Sequence, residues 1–264
     1  MYKIVFLDLD DTLLDNEKNI SNENKDAIKY VQEKGGIVCI ASGRSIDSIK
    51  KYKEDANADK YIIYSNGAGI FDCESNEKLF SADIEKEICF ELCKYALEKN
   101  IGVRLDTPYG RYITNEKYAV SLEIIIDFEE CEKIILDNDI LQISFVSEME
   151  ADRTAAIKYI NENIAKTIKI ENIFNTGKEE FFAINIVNTN VSKGNAIYGL
   201  CKFLKIDVKD AIAIGDGIND MSMIRTAGLG VAMENGEPEL KAIANEITST
   251  NLENGVAKIL KEKF

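Results

Sequence analysis

Two aspartates at the end of an apolar run are the residues of this chain best placed to do chemistry. Residues 3–7 have the length and composition of a buried parallel strand, and Asp8 and Asp10 follow it two residues apart. In extended backbone that spacing turns both side chains the same way, so two carboxylates converge at the edge of a sheet. Two anions this close repel each other unless a cation or a proton lies between them. The pair therefore predicts a hard divalent cation, Mg²⁺, beside one carboxylate that acts as a nucleophile and another that moves a proton.

The charge balance of the chain limits what it can bind. Its 264 residues carry a formal net charge of −14 and include no histidine. Nucleic acid and anionic membrane surfaces need clustered Lys and Arg, so neither is an expected partner. Without histidine, Ser-His and Cys-His mechanisms and histidine-ligated metals are excluded, and carboxylates become the main acids and bases. An anionic substrate would need a local positive field, which we assign to the metal, Arg44 and Lys193.

Polar residues follow other strand-like runs in the same way, and helical periodicity separates these runs. Residues 37–41 are followed by Ser42-Gly43-Arg44, residues 61–64 by Ser65-Asn66-Gly67, and residues 211–214 by Gly215-Asp216-Gly217. This alternation of strand and helix predicts an α/β fold with a doubly wound parallel sheet. Such sheets bind ligands at the carboxyl ends of their strands.

The pattern changes in the middle of the chain. Between residues 82 and 186 it predicts two helices, one opened by Asp83 and one at about 152–165, against largely antiparallel strands that include 122–128. We therefore predict a core domain of residues 1–81 and 187–264 and an inserted α+β domain of residues 82–186.

Cysteine usage and hydropathy predict a cytoplasmic protein. The six cysteines are scattered through mostly apolar segments, which is typical of buried free thiols in a reducing compartment. No apolar run approaches the roughly 18 residues of a membrane span. The sequence enters its first strand directly after Met1, so we expect no cleaved signal peptide.

Four motifs occur together in this chain. They are Asp8-x-Asp10-x-Thr12, Ala-Ser-Gly-Arg at 41–44, Ser-Lys-Gly at 192–194 and Gly-Asp-Gly-Ile-Asn-Asp at 215–220. With these motifs the chain resembles the haloacid dehalogenase-like superfamily of phosphotransferases and, within it, the Cof-type sugar-phosphatase subfamily. The resemblance implies a Rossmann-like core, an inserted cap that selects the substrate, and Mg²⁺-dependent hydrolysis of small phosphorylated metabolites, sugar phosphates among them, through an aspartyl-phosphate.

The resemblance also implies catalytic roles. Asp8 would attack phosphorus, and Asp10 would protonate the leaving alcohol and then activate water. Ser42 would hydrogen-bond the phosphoryl group, while Lys193 would neutralise it and hold Asp8.

Binding roles follow from the same resemblance. The metal would be held by Asp8, the backbone carbonyl of Asp10, Asp216 and Asp220. The expected phosphate- and substrate-binding residues are Ser42, Gly43, Arg44, Asn66, Lys193 and Asn219. Structural alternatives are a helix cap for Asp216 and Asp220, a salt bridge for Arg44 and an ordinary turn for Asn66.

Two other functions remain open at this point. A phosphomutase would form the same intermediate and pass the phosphoryl group to a second sugar. A non-enzymatic sugar-phosphate sensor would keep the binding residues, although it would not require a nucleophile and an acid together. The residues do not distinguish one phosphorylated metabolite or one oligomeric state from another.

Overall fold

A computed structural model describes residues 2–119, 123–164, 166–175 and 181–264. The chain divides into two compact units, one made of Met1–Phe80 with Val191–Phe264 and the other of Ser81–Asn190. The second unit thus interrupts the first, and its role as a specificity domain stays a prediction. In the described ranges, no helix is both long enough and apolar enough to cross a bilayer.

Strands and helices alternate through most of the chain. The first part contains β1 (Ile4–Leu7), α1 (Asn22–Glu33), β2 (Ile37–Ala41), α2 (Ile46–Asp55), β3 (Tyr61–Tyr64), β4 (Gly69–Asp72) and β5 (Glu77–Ser81). The second unit contains α3 (Lys86–Lys99), β6 (Gly102–Asp106), β7 (Arg111–Ile113), β8 (Glu123–Ile125), α4 (Phe128–Asp137), β9 (Gln142–Ser147), α5 (Glu150–Asn163), β10 (Ile168–Asn175) and β11 (Phe182–Asn188). The last part contains α6 (Lys193–Phe203), β12 (Ala211–Gly215), α7 (Met221–Thr226), β13 (Leu229–Met233), α8 (Pro238–Lys241), β14 (Glu246–Thr248) and α9 (Gly255–Lys263).

The first unit is built on an eight-stranded sheet in the order β14-β13-β12-β1-β2-β3-β4-β5. The strand β1 lies at its centre and pairs in parallel with β12 and β2, with Leu7 opposite both Ile214 and Ile40. Every residue of β1 is fully buried, as expected for a strand covered on both faces. The α/β class predicted from the sequence is confirmed, and β3 and β4 add an antiparallel edge.

The second unit is a six-stranded sheet in the order β10-β11-β9-β6-β7-β8. Its alternating residues Val103, Leu105, Phe145 and Ile184 form a core with buried side chains of α3, α4 and α5. All three helices therefore pack on this apolar face, and the side chains at the alternate strand positions point to the opposite face.

The predicted number of helices in the inserted segment was wrong. The strand expected at 122–128 gives way to β8, which ends at Ile125, and to the helix α4, which begins at Phe128. A capping box starts this helix, because Asp127 accepts a hydrogen bond from the Glu130 backbone and Glu130 bonds back to the Asp127 backbone. Cys131 and Ile135, four residues apart, then fall on one buried face.

The helices α1 and α9 are joined by a buried side chain. Asn24 is only 2% exposed, and its Oδ1 accepts a hydrogen bond of 3.0 Å from the backbone N–H of Ala257. That N–H lies in the first turn of α9, where it has no partner within the helix.

Replacing Asn24 with alanine should lower the free energy of unfolding by about 1–3 kcal/mol, since a buried N–H loses its acceptor. Asn22→Ala is the matched control, because Asn22 is exposed in the same turn of α1. Urea unfolding would measure both variants. Equal losses in the two would show that the bond to Ala257 contributes nothing.

Candidate active site

The carboxyl ends of three central strands bring polar residues to one edge of the sheet. Asp8 follows β1, Ser42 follows β2 and Asp216 follows β12. The backbone N–H of Asp8 still pairs with Ile214 at 3.0 Å, and that of Ser42 pairs with Ile63 at 3.0 Å. The backbone hydrogen bonds of the sheet thus continue one residue past β1 and β2, and they fix the backbone positions of Asp8 and Ser42.

A buried lysine lies between two aspartates at this edge. Nζ of Lys193 donates hydrogen bonds to Oδ1 of Asp8 at 2.5 Å and to Oδ1 of Asp220 at 2.6 Å. Lys193 is fully buried as the first residue of α6, and the preceding Ser192 caps that helix by accepting a bond from the N–H of Asn195 at 3.0 Å. The helix start therefore aims the ammonium group at the end of β1.

Burial and ion pairing shift the pKa values of Asp8 and Lys193 in opposite directions. Burial, with the nearby carboxylates of Asp220 and Asp216, raises the pKa of Asp8 to about 8 despite the charge of Lys193. Burial lowers the pKa of Lys193, but Asp8 and Asp220 outweigh it and the net shift is upward. The two shifts conflict. The raised pKa of Asp8 favours a neutral carboxyl group, whereas the raised pKa of Lys193 requires a charged Asp8. The short distances support an ammonium held by two carboxylates.

Asp220 uses both of its oxygens inside the protein. Its Oδ2 accepts 3.0 Å hydrogen bonds from the backbone N–H groups of Asp216 and Gly217, while its Oδ1 accepts from Lys193. Asp220 thereby links the loop after β12 to the ammonium group. Its predicted part in metal binding would be shared with this positioning role.

Three carboxylates could hold a divalent cation. One oxygen from each of Asp8, Asp216 and Asp220 lies within 4.8 Å of the others. In the described part of the chain, Lys193 contacts Oδ1 of Asp8 and Thr12 donates to Oδ1 of Asp216 at 2.7 Å, so Asp8 and Asp216 can each offer Oδ2 to a cation, whereas both oxygens of Asp220 already accept hydrogen bonds. Burial raises the pKa of Asp216 to about 6. Clustered carboxylate oxygens are ligands of hard cations, so this set fits Mg²⁺.

Asp10 has partners different from those of Asp8. Arg44 donates from Nε to Oδ2 at 2.7 Å and from Nη2 to Oδ1 at 2.6 Å, and Nζ of Lys18 lies 2.9 Å from Oδ1. The Arg44 hydrogen bonds outweigh partial burial and, with Lys18, lower the pKa of Asp10 to about 2. The salt bridge considered for Arg44 is therefore present, and its partner is a predicted catalytic residue.

The loops after β2 and β3 are held close together. Ser42 is 1% exposed, and the backbone N–H of Asn66 donates to its carbonyl oxygen at 3.1 Å. A Cβ at Gly43 would lie 2.9 Å from Oδ1 of Asn66, so only glycine fits without a shift. That Oδ1 also accepts a 3.0 Å bond from Nδ2 of Asn219. Asn66 therefore connects the loops after β2, β3 and β12.

These side chains surround an open cavity of about 270 Å³, large enough for a phosphoryl group. It is lined by Asp8, Asp10, Asp11, Ser42, Gly43, Arg44, Asn66, Asp216, Gly217 and Asn219. All predicted site residues except Lys193 and Asp220 line it, and those two lie behind Asp8, joined to it by the ammonium hydrogen bonds. The arrangement offers a buried carboxylate oxygen to a ligand in the cavity.

Sequence reasoning assigned nothing to three residues that contribute here. Thr12 positions Asp216, Lys18 contacts Asp10, and Asp11, which is exposed to solvent, lines the open cavity. The position of Thr12 in the first motif was a usable signal. Lys18 had none, because a single lysine in a polar linker looks like ordinary surface.

Comparison with known proteins identifies relatives over the whole chain. The sequence-family model of the haloacid dehalogenase-like hydrolases matches residues 5–260 of this chain. The 5-amino-6-(5-phospho-D-ribitylamino)uracil phosphatase of Bacillus subtilis is 30% identical, over 98% of this chain and 94% of the relative. The phosphatase YwpJ of the same organism is 28% identical, over 98% of this chain and 99% of the relative.

Solved structures agree with the sequence matches. A haloacid dehalogenase-like hydrolase from Bacteroides thetaiotaomicron has a TM-score of 0.82 and 26% identity, with 100% of both chains covered. The fold and the full-length phosphatase relatives confirm the enzyme class predicted from the four motifs. The chain therefore belongs to the haloacid dehalogenase-like hydrolase family.

Proposed function

We propose that this protein is a Mg²⁺-dependent phosphatase that hydrolyses small phosphorylated metabolites, sugar phosphates in particular, through an aspartyl-phosphate on Asp8. The observation that carries the proposal is the buried Asp8 carboxylate on the cavity wall, with the Lys193 ammonium 2.5 Å from its Oδ1. A nucleophile, a fixed positive charge and carboxylates suited to a cation thus meet in one place.

Charge explains why each of these parts is needed. A phosphate monoester is a dianion, and at about 4 Å with an effective dielectric near 20 each charge pair with a carboxylate costs about 4 kcal/mol. Lys193 offsets part of that repulsion and stays in place, because Asp220 holds the ammonium from the other side. Asp8, Asp216, Asp220 and the backbone carbonyl of Asp10 would hold Mg²⁺, which supplies the remaining positive charge for the transferring phosphoryl group.

The reaction proceeds in two steps. An oxygen of Asp8 attacks phosphorus and the ester P–O bond breaks. Asp10, which can take up a proton from solvent once Arg44 has left its Oδ2, gives that proton to the departing alcohol oxygen. Asp10 then takes a proton from water as that water attacks phosphorus, and the P–O bond to Asp8 breaks to release inorganic phosphate. Ser42 donates its hydroxyl hydrogen to a phosphoryl oxygen, while Asn66 and Asn219 keep the rim of the cavity in shape.

We also propose that the second unit, Ser81–Asn190, which contains the residues 82–186 predicted as the inserted domain, selects the substrate. On the face of its sheet opposite the helices, Gln142 donates to Oδ2 of Asp106 at 3.3 Å and to Oγ of Ser144 at 3.1 Å, and Ser144 donates to Asn185 at 2.8 Å. Oδ1 of Asp106 is buried and has no hydrogen-bond partner among the described residues. Such a network of donors and acceptors suits the hydroxyl groups of a sugar.

Asp8→Asn should lower phosphate release from sugar phosphates and from p-nitrophenyl phosphate by at least about 1,000-fold, because the amide cannot serve as the nucleophile. Asp26→Asn, on the exposed side of α1, is the control and should retain activity. The assay follows inorganic phosphate, which a transfer to a second sugar would not release. Equal release by Asp8→Asn and wild type would refute the mechanism.

Mg²⁺ should raise the melting temperature of the wild-type protein as well as its activity, since the cation relieves repulsion among three carboxylates. Saturation at about 100 times the dissociation constant corresponds to about 2.7 kcal/mol of added stability. The rise should shrink strongly in Asp216→Asn, which keeps the Thr12 contact but loses a charge. Differential scanning calorimetry with EDTA and with Mg²⁺ tests this, and an equal rise in both proteins would place the cation elsewhere.

Asn185→Leu should lower kcat/KM for the best sugar phosphate by about tenfold, since about 1.4 kcal/mol of hydrogen bonding is lost. Turnover of p-nitrophenyl phosphate, which has no sugar hydroxyls, should stay within about threefold. The control Asn161→Leu replaces an exposed asparagine of α5. If both substrates are unaffected in Asn185→Leu, this face does not select the substrate.

A further inference from the structure

We propose that Lys18 is a positioning residue that keeps Asp10 oriented toward the leaving group when Arg44 turns to the substrate. The inference rests on the proposed phosphatase function and assigns a role to a residue outside the four sequence motifs. Three features carry it, namely the division of the Asp10 oxygens between two cations, the place of Arg44 in the cavity, and the way the backbone holds Lys18.

The two cations contact Asp10 unequally. Arg44 covers both oxygens, with Nε on Oδ2 and Nη2 on Oδ1, whereas the short contact of Lys18 is from Nζ to Oδ1 at 2.9 Å. While Arg44 is in place, Oδ2 faces a guanidinium and cannot approach a substrate oxygen. Without Arg44, Lys18 would still fix Oδ1 and leave Oδ2 open.

Arg44 is also placed to contact the substrate. It lines the cavity beside Asp8 and Ser42, and its guanidinium carbon lies 4.9 Å from the centre of the Tyr52 ring. Its Nη1 contacts Oγ of Ser48 at 3.3 Å, so Tyr52 and Ser48 support the side chain on the side away from Asp10. A phosphoryl dianion in the cavity carries more charge than one carboxylate and offers the same bidentate geometry. The guanidinium would then exchange Asp10 for phosphoryl oxygens.

Lys18 is held in place by its own loop. Its backbone has a φ of 64°, in the left-handed region, and its N–H donates to the carbonyl oxygen of Asp15 at 3.0 Å. Oδ1 of Asp15 accepts bonds from the N–H groups of Glu17 at 2.9 Å and Asn19 at 2.8 Å. These bonds close the loop and present the lysine to Asp10 independently of Arg44.

The consequence concerns the basicity of the leaving group. A weakly acidic alcohol or phenol must receive a proton as it departs, so its ester depends on a well-oriented Asp10. Nitrophenol leaves readily as its anion and needs little help. Loss of Lys18 should therefore slow the hydrolysis of esters with basic leaving groups more than that of esters with acidic ones. Phosphoryl binding and attack by Asp8 should continue in both cases.

The test compares phenyl phosphate with p-nitrophenyl phosphate, two esters of similar size that differ in leaving-group basicity. In Lys18→Met, kcat/KM should fall on the order of 10- to 100-fold for phenyl phosphate and stay within about threefold for p-nitrophenyl phosphate. Lys18→Arg keeps the cation and should restore most of the activity on phenyl phosphate. Lys25→Met is the control, because Lys25 forms a comparable surface salt bridge with Asp55 away from the cavity.

Each other outcome overturns the inference. An equal loss for both esters would show that Lys18 serves binding or folding, and a higher KM for both with unchanged kcat would make it a phosphate contact. No loss for either ester would show that Arg44 alone orients Asp10. Failure of the wild-type protein to hydrolyse either ester with Mg²⁺ would refute the proposed function itself, which separates that failure from the others.

Discussion

The candidate site depends on one buried ammonium group. Lys193 has no exposed surface, and a charge taken out of water to this extent is stable only when it is fully paired. Its two partners come from distant parts of the chain, Asp8 after β1 and Asp220 after β12, at 2.5 and 2.6 Å. Removing such a partner from a buried pair typically costs about 3–5 kcal/mol. The first unit is therefore sensitive to the loss of either aspartate, and the same contacts fix the geometry of the cavity wall.

The surrounding loops are shaped so that this ammonium can reach its partners. Gly67 has a φ of +92°, and a Cβ there would lie 2.2 Å from the carbonyl oxygen of Ser192, the cap of α6. The loop after β3 therefore touches the start of the helix that carries Lys193. Ser65 and Asn66 also adopt positive φ, at 47° and 56°. Glycine adopts a positive φ without steric cost, whereas Ser65 and Asn66 pay for it, and such strain persists only where packing determines the backbone.

The sequence allowed the strand ends to be predicted because they depend on short patterns. An apolar run followed by polar residues marks the carboxyl end of a buried strand, and parallel pairing then brings Asp8, Ser42 and Asp216 to one edge. The contacts of Asp10 could not be predicted, because Arg44 lies 34 residues away and no local pattern encodes the direction of its side chain. The bond from Thr12 to Asp216 spans 204 residues and raises the same difficulty.

The helix α4 was missed for a different reason. The apolar residues 124–126 favour a strand and Phe128 extends their apolar pattern, although the capping sequence Asp127 to Glu130 marks a helix start. A local signal was present in that case and was outweighed by β-propensity. The start of α4 is thus encoded locally and can be predicted from the sequence, whereas contacts such as that of Arg44 with Asp10 depend on the folded chain.

The charges around the cavity explain why a cation is central to the proposed chemistry. The lining includes four carboxylates, those of Asp8, Asp10, Asp11 and Asp216, and among the lining residues Arg44 is the one with a positive charge. In the structure that charge is already paired with Asp10, so the cavity wall alone would repel a phosphate dianion. Lys193 is paired with two carboxylates and compensates Asp8 rather than a ligand. A divalent cation held by Asp8 and Asp216, as we propose, would reverse the balance there, and a dianion could then draw Arg44 away from Asp10. On this proposal the acidic cavity would favour phosphate only with the metal bound, because the cation would supply the positive charge that the cavity wall lacks.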